Sequence, residues 1–417
     1  VNRNAIILFL VWIVSCSGFK RISNTDLSWL YRDEKFLLNP EYSLLHVSKD
    51  STRIFLKLPV KDILYKRNES GEWKSGFSLR ILLFPSYESK KLIDSATCFF
   101  SPPFSDDTSA FILKEFTIKK PVKNCLMVLR LNDLNRGAFK ENFISLDASI
   151  QSSQEFYVSS NDADYPLFNR VVDDSEMVRV NCPATTTSLM VRCYFNDYPV
   201  ATPPFSSKPP VVLSYYSDSV IIPAKEEDGY YHFSLSRSGM YHIQYDTLTK
   251  NGYTVFKFNA GYPAITASTQ LIAALRYLTT TEEFNKLTNA SDKKEAIDRF
   301  WIDISGSKER ARFLIKTFYS RMKNANQFFT SYLEGWKTDR GMIYLVFGPP
   351  KTVYKTSEAE YWDYGFFKGY GSLNFSFRKI ANPFTDNDFL LMRSASYEPV
   401  WYMAVDQWRQ GRITATE

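Results

Sequence analysis

Gly335-Trp336-Lys337-Thr338-Asp339-Arg340-Gly341, then Met342-Ile343-Tyr344-Leu345-Val346-Phe347 and Gly348-Pro349-Pro350, is the stretch on which the C-terminal part of this sequence turns. Thr338 and Asp339 can bond nearby backbone N–H groups, and Gly341 is free to take φ > 0. Residues 342–347 are all apolar or aromatic, which predicts a strand covered on both faces. Gly348-Pro349-Pro350 is expected to end it, because proline cannot donate to a ladder and restrains the residue before it. Six of the sixteen glycines lie between Gly335 and Gly371, so unusual backbone angles are expected to concentrate here.

Upstream of this stretch the pattern is helical. Apolar residues at 311, 315, 318, 322, 325, 329 and 332 draw one seam along a long helix over 308–333. A helix over 266–278 precedes it, Thr280 with Glu283 makes a capping-box pattern, and Asp292 with Glu295 repeats it. Downstream, Glu360-Tyr361-Trp362-Asp363-Tyr364, then Leu373, Phe375 and Phe377 at alternating positions, then 389–392, read as strands. Residues 397–409 read as a terminal helix or turn carrying Trp401 and Trp408. Residues 263–417 are thus expected to form an α+β domain with helices preceding a small sheet.

Gly335, Trp336, Thr338, Asp339, Arg340 and Gly341, followed by the apolar run and Gly348-Pro349-Pro350, resemble the signature of the GWxTD-domain family, envelope proteins found chiefly in Bacteroidota and related bacteria. Arg321, Ala325, Asn326 and Phe329 match that family's lead-in helix, while Trp362 and Tyr364 match its acidic-Trp-aromatic strand. Met342 stands where a basic residue is common and Lys351 where an acidic one is. The match spans about 295–410. The resemblance implies an envelope protein and carries no established activity.

At 417 residues the chain is long enough for several cores, and 44% hydrophobic with 23% charged residues is ordinary for a globular protein. A net charge of +6 over this length argues for no nucleic-acid partner. From 41 to 150 the period is strand-like: Ile54, Leu56 and Leu58 alternate with polar or outward positions, as do Leu79, Ile81 and Leu83. A second unit of the same kind covers 151–262, with candidate strands that include 211–215. The predicted fold is therefore multi-domain, mainly β then α+β: two tandem antiparallel β-sandwich (Ig-like) domains followed by the α+β domain.

Residues 1–15 read as a signal peptide: Arg3, an apolar run over 5–14, and Ser15. Ten apolar residues are too few to span a bilayer stably. Ile13-Val14-Ser15-Cys16 resembles a lipobox, which would make Cys16 the acylated first residue of the mature chain; cleavage without lipidation is the plainer alternative. Ser17 is not an inner-membrane-retaining aspartate, and residues 18–21 lack an acidic export cluster. The expected location is the outer membrane, lipid-anchored and facing the periplasm. Residues 16–40 read as a lipidated tether with a short helix over 26–38. Cys98, Cys125, Cys182 and Cys193 permit two disulfides there, Cys98 with Cys125 and Cys182 with Cys193.

Among candidate chemistry, Asp339-Arg340 ranks first. The guanidinium fork could hold a carboxylate or phosphate against a Trp336 wall. The competing reading has Asp339 capping its turn and Arg340 pairing locally or stacking on Trp336 or Trp362. Gly348-Pro349-Pro350 lacks the elements of a phosphate loop, so no nucleotide is expected. His232 and His242 could approach on a hairpin but have no third ligand, so neither metal nor cofactor is expected. The basic run Lys308, Arg310, Arg312, Lys316, Arg321 and Lys323 reads as a solvated helix face. With no catalytic set in view, the expected function is noncatalytic: assembly or scaffolding with an envelope protein partner. The alternatives are a glycan-binding module using Trp336, Trp362, Tyr370 and Trp401, and a hydrolase using Asp339.

Overall fold

The computed structural model describes residues 20–32, 37–121, 123–149, 151–160, 163–172, 177–182, 188–210, 213–367 and 371–413. The expected signal peptide, Cys16 and Tyr370 lie outside these residues.

The first sandwich opposes two antiparallel sheets. One is β1 (Glu41–His46), β2 (Ser51–Pro59) and β7 (Phe111–Lys119), with β2 in the middle. A separate two-strand ladder pairs β3 (Lys66–Arg67) with β4 (Trp73–Lys74). The other sheet runs in the order β6 (Asp94–Phe100), β5 (Phe77–Phe84), β8 (Cys125–Asp133), β9 (Ala138–Leu146). Strand alternation decides which side chains meet: Ile54, Leu56 and Leu58 from β2 pack against Leu79, Ile81 and Leu83 of β5 and Met127, Leu129 and Leu131 of β8.

The second sandwich repeats the plan. β10 (Tyr157–Ser160), β11 (Met177–Asn181) and β14 (Tyr231–Ser234) face a sheet ordered β13 (Ser219–Ile221), β12 (Met190–Tyr194), β15 (Gly239–Gln244), β16 (Tyr253–Lys257). Val178, Val180, Val191, Phe233, Ile243 and Val255 fill the space between them. Residues 213–215, expected to end a strand, are irregular. They follow Pro209-Pro210, which cannot enter a ladder.

Among the described residues, the C-terminal part packs six α-helices and one sheet around a third core. The helices are α1 (Ser268–Leu275), α2 (Thr281–Thr288), α3 (Lys293–Ser305), α4 (Lys308–Phe329), α5 (Asp339–Phe347) and α6 (Glu398–Arg409). The sheet is an antiparallel meander of β17 (Thr352–Lys355), β18 (Ala359–Phe367), β19 (Gly371–Lys379) and β20 (Phe389–Leu391). Thr280 and Glu283 form the expected reciprocal capping box on α2, and Asp292 accepts from the Glu295 N–H to start α3. Of the basic run along α4, Arg321 is buried while the other five side chains are exposed.

Two further secondary-structure expectations fail. The run Met342–Phe347 is helix, not strand, because a short wholly apolar segment satisfies a buried helix as well as a buried strand. The helix expected over 26–38 is replaced, within the described residues, by two 3₁₀ turns, Ile22–Asn24 and Ser28–Tyr31. Nor does this segment stand free as a tether. Leu27 and Tyr31 belong to the C-terminal core, alongside Phe329, Trp362 and Tyr344.

None of the four described cysteines forms a disulfide. Cys98 on β6 lies opposite Leu79, and Cys125 on β8 lies opposite Leu146, so the intervening β5 keeps them apart. Cys193 sits in β12 and Cys182 just after β11, on opposed sheets and not on neighbouring strands. His232 and His242 are likewise separated, on β14 and β15 of different sheets. Among the described residues no three His, Cys, Asp or Glu side chains cluster to hold a metal. No described helix is long and apolar enough to cross a membrane.

Candidate functional site

The tryptophan-led stretch is a helix start. A 3₁₀ turn, Gly335–Lys337, lies against α4 and leads into α5. Thr338 is the N-cap: its hydroxyl accepts from the Gly341 N–H (3.1 Å) and donates to the Gly335 carbonyl (2.7 Å). Asp339 follows in the first turn, where the exposed N–H groups favour an anion.

Gly335 and Gly341 are required for space, not for backbone angle. A Cβ on Gly335 would stand 1.9 Å from the Ala325 carbonyl of α4, and one on Gly341 equally close to the Gly335 carbonyl. Neither has positive φ, so the expectation for Gly341 is corrected. Gly348 does, at φ 84°, and with Pro349 and Pro350 it ends α5. Arg321 from α4 donates to the Leu345 (3.1 Å) and Val346 (3.4 Å) carbonyls at that end. Its guanidinium lies over Trp408, and burial lowers its pKa to about 10, so it remains a cation.

The charged motif side chains are buried and matched. Asp339 takes two bonds from Arg393 (2.5 and 3.0 Å) and one from the Leu391 N–H (2.8 Å), pinning β20 to the start of α5. Arg340, 1% exposed, donates to Glu360 (3.0 Å) and to the Asn387 carbonyl and side chain (2.9 and 2.6 Å). It lies over Phe329 and Phe389, not over Trp336 or Trp362. Glu360 is fully enclosed and also receives Lys355 (2.8 Å), the Trp362 indole N–H (3.1 Å) and the Tyr31 hydroxyl (2.9 Å). Burial alone would raise its pKa; the Lys355 and Arg340 cations outweigh that and hold it down to about 2. The same cluster raises Lys355, whose burial is overcome by Glu360, and pushes the buried Tyr31 phenol up to about 12.

The indoles are structural in their placement. Trp336, Trp362 and Trp401 are 0%, 1% and 3% exposed, so three of the four aromatics expected to offer stacking faces offer none. Tyr364 donates to the Gly348 carbonyl (2.8 Å), tying β18 to the end of α5.

The motif also reaches outside its own domain. The Lys337 carbonyl accepts from Ala201 (3.0 Å), and its ammonium pairs with Glu334 (2.7 Å) and Asp197 (3.0 Å). Arg393, held by Asp339, donates to the Thr202 carbonyl (3.0 Å), and the Ser394 N–H to that of Pro204 (3.1 Å). Residues 197–204 belong to the connection between β12 and β13, so this turn clamps a loop of the second sandwich. A cleft of about 550 Å³ opens beside it, lined by that loop's prolines, Tyr332, Phe384, Asp339 and Asp388. Arg393 and the contacts of residues 197–204 went unnoticed in the sequence; no local pattern there signals pairing with a turn 140 residues on.

The architecture defines a class: a β-sandwich protein ending in an α+β domain organised on a capped, fully buried helix. Residues 239–410 match the model of the GWxTD domain, so this part of the chain is a GWxTD domain. The match begins at the last hairpin of the second sandwich, upstream of the segment read as similar from the sequence. No curated protein matches the chain.

Proposed function

We propose that this protein is a noncatalytic, lipid-anchored scaffolding component of a cell-envelope complex, held at the outer membrane through Cys16. The observation that carries the reading is where the motif's polar groups go. Lys337, Asp339 and Arg393 join the C-terminal domain to the loop between β12 and β13 of the second sandwich, fixing modules relative to one another. A protein whose signature holds its own spacing suits assembly better than turnover. Asp339, with both oxygens engaged, is poorly placed to activate water. Affinity purification from solubilised envelopes is expected to return a stoichiometric protein partner that a folded Arg393→Ala variant retains poorly. No such partner, or retention unchanged by the variant, counts against the reading. Labelled palmitate entering the wild type but not Cys16→Ala tests the anchor.

One observation favours a second reading, a hydrolase using Asp339. Asp388 lines the same cleft, and burial raises its pKa from the ordinary aspartate value. Hydrolysis by the purified chain that is lost in a folded Asp388→Asn variant would support it.

A further inference from the structure

The GWxTD domain contains a socket filled by a segment from the far end of the chain. β17 is the edge strand of the C-terminal sheet, and its Val353 exchanges bonds with residues 26 and 27: Leu27 N–H donates to the Val353 carbonyl (2.8 Å), and Val353 N–H to the Asp26 carboxylate (2.9 Å). Leu27 is 1% exposed. Four residues on, Tyr31 enters between Phe328, Phe329 and Trp362, with ring centroids at 5.8, 4.9 and 5.4 Å. Its hydroxyl lies on Glu360, and its carbonyl accepts from Tyr344 (3.0 Å). The pattern resembles peptide recognition at a sheet edge, with one backbone bond and one carboxylate bond to the edge strand and one pocketed side chain.

The geometry points to a peptide-recognition socket in the C-terminal domain, with residues 26–31 as its built-in, releasable ligand. Two features separate ligand from host. The segment joins no sheet ladder and no α-helix of the domain; it makes short 3₁₀ turns. When it leaves, Glu360 keeps Arg340, Lys355 and the Trp362 N–H, so no bare charge is left behind. The occupant is this chain's own Asp-Leu-x-x-x-Tyr segment, and another segment of that pattern would compete for the same place. This deepens the assembly reading by naming a point of entry for a partner.

The test uses a full-length chain carrying Leu27→Ala and Tyr31→Ala, and a fluorescent peptide of residues 20–32. The variant is expected to bind the peptide saturably and at least about tenfold more tightly than the wild type, whose tethered segment competes at high effective concentration. A Tyr31→Phe peptide should bind roughly tenfold more weakly, having lost a hydrogen bond to a charged acceptor. A folded variant that binds no peptide, or equal binding by variant and wild type, overturns the proposal. Tyr31→Phe in the full chain gives a second measurement: amide exchange is expected to rise at residues 352–355 while the rest of the domain stays protected. Loss of protection throughout the domain would show the segment to be an inseparable part of the core, and the proposal falls. A stoichiometric envelope partner found without any peptide binding would leave assembly standing and remove the socket; peptide binding without a partner would do the reverse.

Discussion

Glu360 shows how a single residue can carry a buried charge when donors surround it. Two cations, a phenol and an indole converge on one carboxylate, and each of these donors is itself packed on aromatic rings. Glu360→Gln leaves Arg340 and Lys355 facing each other without an anion, and is expected to cost about 3–5 kcal/mol, read as a lowered urea midpoint for the tryptophan fluorescence of the C-terminal domain. His242 makes a different point. It is 0% exposed, bonded to Thr254 and to the Lys250 carbonyl, and burial lowers its pKa to about 4. Its native pKa is below the unfolded value near 6.5, so the unfolded chain binds the extra proton between those limits. Stability from the neutral ring is therefore complete above about pH 6.5 and is lost as pH falls toward 4, amounting to about 3 kcal/mol. Unfolding midpoints of the second sandwich at pH 7.5 and 4.5 should show that loss, and a His242→Gln variant should flatten it. Glu360 acts lower on the scale: its contribution is present above the ordinary glutamate range and fades toward pH 2.

At the scale of elements, α5 is the piece on which the domain closes. Residues 339–346 are buried on every side, so no amphipathic period marks them. The available signals were its ends: Thr338 as an N-cap, Asp339 in the first turn, and glycine then two prolines after the last turn. The turn that feeds α5 lies so close to α4 that side chains are excluded. Gly335→Ala places a methyl 1.9 Å from the Ala325 carbonyl and is expected to destabilise the domain by about 1–3 kcal/mol, as overpacking does. A control at Gly306, where a Cβ meets nothing within 4 Å, isolates the collision from the strain of its φ of 72°. Differential scanning calorimetry on both variants separates the two effects.

At the scale of the whole molecule, the same turn holds the loop between β12 and β13 of the second sandwich through Lys337 and Arg393. Arg393→Ala removes the bond to Thr202 and leaves Asp339 with only the Leu391 N–H, so the loop should loosen. Chymotryptic cleavage after Phe205 is expected to accelerate several-fold while the helical circular dichroism is unchanged; equal cleavage rates would show that the clamp does not restrain the loop. The N-terminal segment makes a second tie, with the Ser23 N–H on the Tyr87 carbonyl of the first sandwich and the Leu27 N–H on the Val353 carbonyl. The C-terminal domain is thus joined both to the N-terminal segment and to a loop of the second sandwich.

Local chemistry determined most of the strands and helices here. Alternation at Ile54, Leu56 and Leu58, the 3–4 spacing along α4 and the Thr280–Glu283 box are short-range patterns, and short-range patterns are written in adjacent residues. Only the tertiary structure decided that 342–347 is a helix, because a segment enclosed on all sides carries no period to choose its form. It alone decided the partners of Asp339, Arg340 and Glu360 as well. Apart from Lys355 and Trp362 beside Glu360, the pairings cited join residues 20 to 329 positions apart. Such distances are closed by packing, and no side chain announces in sequence which distant charge it will meet.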